Sequence, residues 1–185
     1  MMQVYFATGN KNKFKEAAMI FGPSLRQKKV DVQEIQSLDV RKVTEAKAKA
    51  AFEKVKKPVI VEDTALYINS WTGLPGPLIA WFVKSMGIEK LCKLAGPDRT
   101  ARAEACVAYY DGRNMKVVSG SINGRIAFVP RGEDRFDWDR IFIPEGHGKT
   151  FAEMTLEEKN RISHRMKAFS QMRKYLRSMA RKKGF

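Results

Sequence analysis

The sequence predicts an α/β fold with an antiparallel second lobe. Three observations predict it: apolar runs alternate with helix-patterned stretches through the first 63 residues, a hairpin signal separates two further strand-like runs after residue 96, and the last segment repeats apolar residues every three to four positions.

Residues 3–7 form a short apolar run, followed at once by Thr8-Gly9-Asn10 and a helix-patterned stretch over 11–21, so strand, tight turn and helix are expected in succession. Gly22-Pro23-Ser24 stops that helix, and the alternation KKVDVQEI predicts a second strand over 28–35. An Ala/Lys-rich helix over 44–56 precedes PVIVED, whose continuous apolar run suits a buried central strand. GLPGP, 73–77, is a turn cluster, and two short helices fill 78–86 and 89–94. Beyond Gly96-Pro97, residues 102–110 alternate, Asp111-Gly112 marks a hairpin, and 116–128 reads as further strands broken at Gly120 and Gly124. Residues 129–150 are loop-rich, and Thr155 with Glu158 forms a candidate capping box. Last comes an amphipathic helix whose apolar stripe is Ile162, Met166, Phe169, Met172 and Leu176.

The chain has 185 residues, of which 44% are hydrophobic and 30% charged. That is enough to bury a core without disulfide or metal support, and excludes a disordered tail. Cys92 and Cys106 form no CxxC and have no histidine at zinc spacing, so a reducing compartment is expected and a zinc site is not. No apolar run approaches a membrane span and the N-terminal residues lack a basic leader, so a cytoplasmic protein without membrane partners is expected. The net charge of +15 is unevenly placed: nine of the 35 basic residues fall in 161–185 with no acid, leaving +6 for the rest. A basic nucleic-acid-binding module is therefore the alternative from another class, but no recognised binding motif surrounds these charges.

Several chemistries are excluded by what is missing. There is no GxxxxGK[ST], GxGxxG or HExxH, SGSING lacks the order of a nucleophile elbow, and two histidines leave little material for a triad. What remains is charge at predicted strand ends. Thr8-Gly9-Asn10 opens a helix, where backbone N–H groups suit phosphate, and Lys11 and Lys13 add cations. Glu34 ends the second predicted strand, and Glu62-Asp63 ends the most apolar one. Carboxylates so placed suit Mg²⁺, and because strand residues alternate, only one of Glu62 and Asp63 should face a given site. Phe136 and Trp138 are loop aromatics among charges and suit stacking on a nucleobase.

Taken together, TGNKNK (8–13), Glu34, Lys47, VEDT (61–64), GLPGP (73–77), FDWD (136–139), AEM (152–154), EKN (158–160) and SHR (163–165) resemble, in order and over nearly the whole chain, the inosine triphosphate pyrophosphatase family. The resemblance implies an elongated mixed central sheet flanked by helices, two lobes with a cleft between them, and a homodimer. It implies Mg²⁺-dependent attack of water at the α-phosphorus of ITP, dITP or XTP, giving nucleoside monophosphate and pyrophosphate. By the same resemblance Asp63 is the base, with Glu34, Asp63 and Glu62 at the metal. Thr8, Gly9, Asn10, Lys11, Lys13, Lys47 and Thr64 hold phosphate, while Phe136, Trp138, Asp139, Lys159, Ser163, His164 and Arg165 hold the purine. A pyrophosphatase of ordinary nucleotides is the reading that keeps the fold and changes the substrate. Asp137 replaces a common glycine, and Leu78-Ile79-Ala80 lacks a basic residue frequent after GLPGP, so a phosphate contact there is either absent or supplied by Lys84.

Overall fold

Four residues, Val4–Ala7, form the first strand (β1). The computed structural model describes residues 3–133 and 137–182, so Phe136 lies outside the described residues. After β1 come α1 (Lys11–Phe21), β2 (Leu25–Lys28), α2 (Val40–Val55), β3 (Val59–Ile68), β4 (Pro75–Gly76), α3 (Ile79–Met86), α4 (Ile88–Leu94), β5 (Thr100–Tyr110), β6 (Met115–Ile126), β7 (Phe142–Pro144), α5 (Leu156–Ile162) and α6 (His164–Lys182). The strands make one seven-stranded mixed sheet in the order β2-β1-β3-β5-β6-β7, with β4 paired to β3. β1 runs parallel to β2 and β3, and all pairings beyond are antiparallel.

The sheet is long because β3, β5 and β6 are long: the ten residues of β3 span about 33 Å at the usual strand rise. Ten of its residues pair with β5, so the antiparallel part continues the first half's sheet instead of forming its own. Three apolar clusters cover it. Phe6, Ile60, Val107 and Tyr109 face α1 and α6 on one side, where Phe169 sits edge-on to Phe6 and Phe21. Val59, Val61 and Ala108 face α2 on the other. Leu66, Ile68, Leu91, Ile141 and Phe142 build a third cluster at the far end.

Three expectations are corrected. The second strand occupies Leu25–Lys28, not 28–35, because its ladder partner β1 ends at Ala7, opposite Lys28. Val30 and Val32, which made the later alternation, pack half-buried on the α2 side without a ladder. β6 is not broken at its glycines. A side chain at Gly120 would lie 2.6 Å from the Ala168 nitrogen, and one at Gly124 would lie 2.7 Å from Phe142 Cζ, so these glycines admit α6 and β7 instead. The C-terminal stripe is also divided. Ile162 ends α5 and packs at the far end, whereas Met166, Phe169, Met172 and Leu176 follow in α6 on the first cluster. Ser163, extended at φ −65° and ψ 150°, separates them, and its Oγ accepts the Met166 N–H at 3.2 Å.

Other features stand as read. Thr155 and Glu158 form the capping box of α5. Lys167, Lys174, Arg177 and Arg181 form a solvated basic face on α6. No helix among the described residues is long and apolar enough to cross a membrane.

Candidate active site

Alternation along β3 decides the layout. Ile60 faces α1 and α6, so Glu62 does too, and Asp63 faces α2 with Val61. The two adjacent carboxylates therefore join two different sets of cations.

On the α1 and α6 side the charges form a buried row. Lys13 Nζ lies 2.8 Å from Glu62 Oε2, an ion pair without hydrogen-bond alignment. Arg165 donates from Nε to Glu62 Oε1 at 2.9 Å and from Nη1 to Glu16 Oε2 at 2.6 Å. Lys159 donates to Glu16 Oε1 at 3.1 Å and to Asp139 Oδ2 at 2.5 Å. Side-chain exposure is 5% or less for Asp139, Lys159, Glu16, Arg165 and Glu62, so bulk water has little access to these pairs. Burial alone would raise the carboxyl pKa of Glu62, but Arg165 and Lys13 overcome it and hold the group well below the usual range. Glu16 is likewise held down, burial being outweighed by Arg165 and Lys159. Asp139 goes the other way, because burial exceeds what Lys159 returns.

Next to this row His164 is completely buried, its ring tilted between Trp138 at 5.4 Å and Phe151 at 5.7 Å. Burial first, then Arg165 and Lys159, depress its pKa far below the ordinary value, so the imidazole is neutral. Neither ring nitrogen has a hydrogen-bond partner among the described residues.

On the α2 side the arrangement is smaller and wetter. Lys47 Nζ lies 2.6 Å from Glu34 Oε1 and 3.2 Å from Asp63 Oδ2. Burial would lower the lysine's pKa, yet Asp63 and Glu34 together raise it. Asp63 is 19% exposed and Glu34 44%, so solvent reaches both. Of the adjacent carboxylates only Asp63 is open to a water molecule.

Two hollows meet here. One of about 290 Å³ is lined by Thr8, Gly9, Asn10, Lys13, Glu34, Lys47 and Glu62 among others. The other, about 270 Å³, shares Asn10, Lys13 and Glu34 and extends past Asp63 and Thr64 to Trp138, Asp139 and Arg165. A third of about 260 Å³ lies behind the buried row, against Glu16, Asp139 and Lys159. At the start of α1 the Asn10 side chain accepts the Asn12 and Lys13 N–H groups, and Thr8 Oγ1 accepts that of Asn10. Those three donors are therefore already satisfied. Lys11 is exposed, and Ser163 and His164 line none of the three hollows. Lys84 lies over the Trp81 ring at 5.7 Å and outside the hollows as well.

Residues 4–175 match the Ham1 family. The chain belongs to that family. An inosine triphosphate pyrophosphatase of Yarrowia lipolytica is 44% identical over 97% of this chain and 98% of its own length. A dITP/XTP pyrophosphatase of Thermococcus kodakarensis is 38% identical, covering 95% and 98%. Among solved structures, the Ham1 protein of Staphylococcus aureus superimposes with a TM-score of 0.82 at 28% identity, covering 96% of this chain and 99% of that one. The sequence resemblance and the Ham1 membership thus agree on family and fold.

Glu16 is the residue sequence reasoning missed. It lies three positions after Lys13 on α1, hence on the same helical face, and adjoins buried Ala17. A glutamate on the face that docks against the sheet was the available signal.

Proposed function

We propose that this Ham1-family protein hydrolyses non-standard purine nucleoside triphosphates, ITP, dITP and XTP, to nucleoside monophosphate and pyrophosphate in the presence of Mg²⁺. One observation carries the reading: two adjoining hollows form a trough from Trp138 and Asp139, past Asp63, to Thr8-Gly9-Asn10, joining an aromatic and polar end to one lined by Lys13 and Lys47, with Glu34 and Asp63 open to solvent between them. The names of the relatives support the substrate class.

The residues fit the metal. Glu34 and Asp63 both close on Lys47 Nζ, so their oxygens already converge on one positive charge, and both are the hard donors Mg²⁺ prefers. When bound, Mg²⁺ would polarise phosphate oxygens and offset their charge. Asp63 orients the attacking water and takes its proton as the water oxygen bonds to the α-phosphorus. The bond from that phosphorus to the bridging oxygen breaks, and pyrophosphate leaves. Lys13 and Lys47 hold the departing charge, with Asn10 and Thr64 lining the same trough. Because a carboxylate is a weak base, most of the rate comes from positioning and charge.

At the other end Arg165 supplies donors and Asp139 an acceptor for the purine edge, with Lys159 behind them bonded to Asp139. Hypoxanthine and xanthine present an oxygen at C6 where adenine presents an amino group, and a buried mismatch of that kind costs about 1–3 kcal/mol. A homodimer in the cytoplasm completes the reading, checked by light scattering and fractionation. The deciding assay is pyrophosphate release from ITP, XTP, GTP and ATP, with Mg²⁺ and with EDTA. Rapid release from ITP and XTP with Mg²⁺, and at least about tenfold slower release from GTP and ATP, is expected. Equal rates on all four would remove the base selectivity, and no release from any would remove the activity.

A further inference from the structure

The lysines that line the phosphate end of the trough are already committed. Lys13 is paired with Glu62, and Lys47 with Glu34 and Asp63. Counting Asp31, the hollow is lined by two lysines and three carboxylates, so its own charge is negative while the proposed ligand brings close to four negative charges. Lys13 and Lys47 alone leave the outer end of such a ligand without a dedicated cation.

Lys29 is placed to supply one. A side-chain carbon built on Gly9 would touch Cγ, Cδ and Cε of Lys29 at 3.7, 4.0 and 3.8 Å, so the lysine stem lies along the glycine backbone and its ammonium is one bond further on. The register is fixed on both sides. The Thr8 N–H donates to the Lys28 carbonyl at 3.1 Å, and Gln27 Nε2 donates to the Thr8 carbonyl at 3.1 Å. Two residues after Lys29, the Lys54 ammonium of α2 donates to the Asp31 carbonyl. The backbone beside Lys29 is thus tied to the Thr8-Gly9 turn and to α2, while the lysine itself is exposed and has no ion-pair partner among the described residues.

We propose that Lys29 is a phosphate-binding residue of this site, its ammonium meeting the outermost phosphate of a bound triphosphate beyond the Thr8-Gly9-Asn10 turn. The proposal rests on the triphosphate reading above and adds a residue to it. Loss of one charged hydrogen bond to phosphate should weaken tail binding by about tenfold or more, with the chemistry at the α-phosphorus little changed.

The test compares Lys29→Met, which keeps the stem and removes the charge, with Lys29→Arg and with Lys174→Met on the solvated face of α6. Inorganic tripolyphosphate is titrated calorimetrically into each, and KM and kcat for ITP are measured in parallel. In Lys29→Met, tripolyphosphate affinity should fall and KM rise by about tenfold, kcat staying within about twofold, while IMP inhibition is unchanged. Lys29→Arg should recover most of the loss and Lys174→Met should show none. Unaltered tripolyphosphate affinity in Lys29→Met would overturn the proposal, as would an equal loss in Lys174→Met, which would mean that bulk charge alone is responsible. Absence of ITP turnover in the unmodified protein would overturn the triphosphate reading instead, and the calorimetric comparison would still decide whether Lys29 binds a phosphate chain.

Discussion

The two sides of β3 carry charge in opposite manners. The row from Lys13 through Glu62, Arg165, Glu16 and Lys159 to Asp139 is dry from Glu62 onward, and every member has its partner in place. The set formed by Lys47, Glu34 and Asp63 has three members, two of them open to solvent. In the dry row removing one ion strands another without water to solvate it, so the row acts as a fixed frame. In the other set solvent reaches Glu34 and, to a lesser degree, Asp63, so water can replace part of a lost contact and the cost to the fold is smaller. Side-chain alternation at Glu62 and Asp63 sends one carboxylate into the dry row and its neighbour into the set that solvent reaches.

Substitutions should divide along that line. The largest expected effect is on turnover: Asp63→Asn should lower kcat for ITP by about 10²–10⁴-fold while nucleotide binding persists and stability changes by less than about 1 kcal/mol. Undiminished kcat would remove Asp63 as the base. On the dry side the ranking inverts. Arg165→Ala leaves Glu62 with Lys13 alone and Glu16 with Lys159 alone, and loss of that buried partner should cost about 3–5 kcal/mol in urea unfolding. A loss below about 1 kcal/mol would mean that water enters the row and the contrast fails.

A smaller effect separates the sides by pH. The unfolded chain protonates His164 near its ordinary pKa of 6.5, whereas the buried ring stays neutral, so stability falls as pH drops below that value. Such a group accounts for about 1.4 kcal/mol at pH 5.5. His164→Phe should keep the ring stack and shrink the stability difference between pH 7 and pH 5.5 by about that amount. Glu62 and Glu16 act lower: their folded pKa values are depressed, so their contribution is present above the unfolded value of 4.5 and lost as pH falls through the depressed ones. The smallest effect belongs to exposed pairs. Glu157→Gln, which breaks the pair with Arg161, should change unfolding free energy by less than about 1 kcal/mol, setting the baseline for both sides.

What could be read from the sequence follows from the range of the forces involved. The opposed orientation of Glu62 and Asp63 was legible because a strand has period two, and the Asn10 turn and the Thr155 box were legible because capping is local. The end of β2 was not, since it depends on where β1 stops some twenty residues earlier. Glu16 was hard to read as a site residue, its place on the docking face being the only signal, because a glutamate in a helix ordinarily faces water and only the arrival of Lys159 and Arg165 from the C-terminal helices makes its burial tolerable. Lys29 escaped for a related reason: it sits in a stretch whose alternation suggested a strand, and nothing local shows that its stem lies on Gly9.

Gly120 has a consequence for how such a sequence can drift. It lies in the middle of β6, away from the trough, yet the space its missing side chain would fill is occupied by the first turn of α6, the turn that begins with His164 and Arg165. An alanine there is a change of one methyl group with no chemistry of its own. It would push the helix start outward and carry the histidine and arginine with it. A population of variants should therefore tolerate almost any residue on the solvated face of α6 and almost none at position 120, and a harmful substitution found there would act through the displaced start of α6 and not through the sheet.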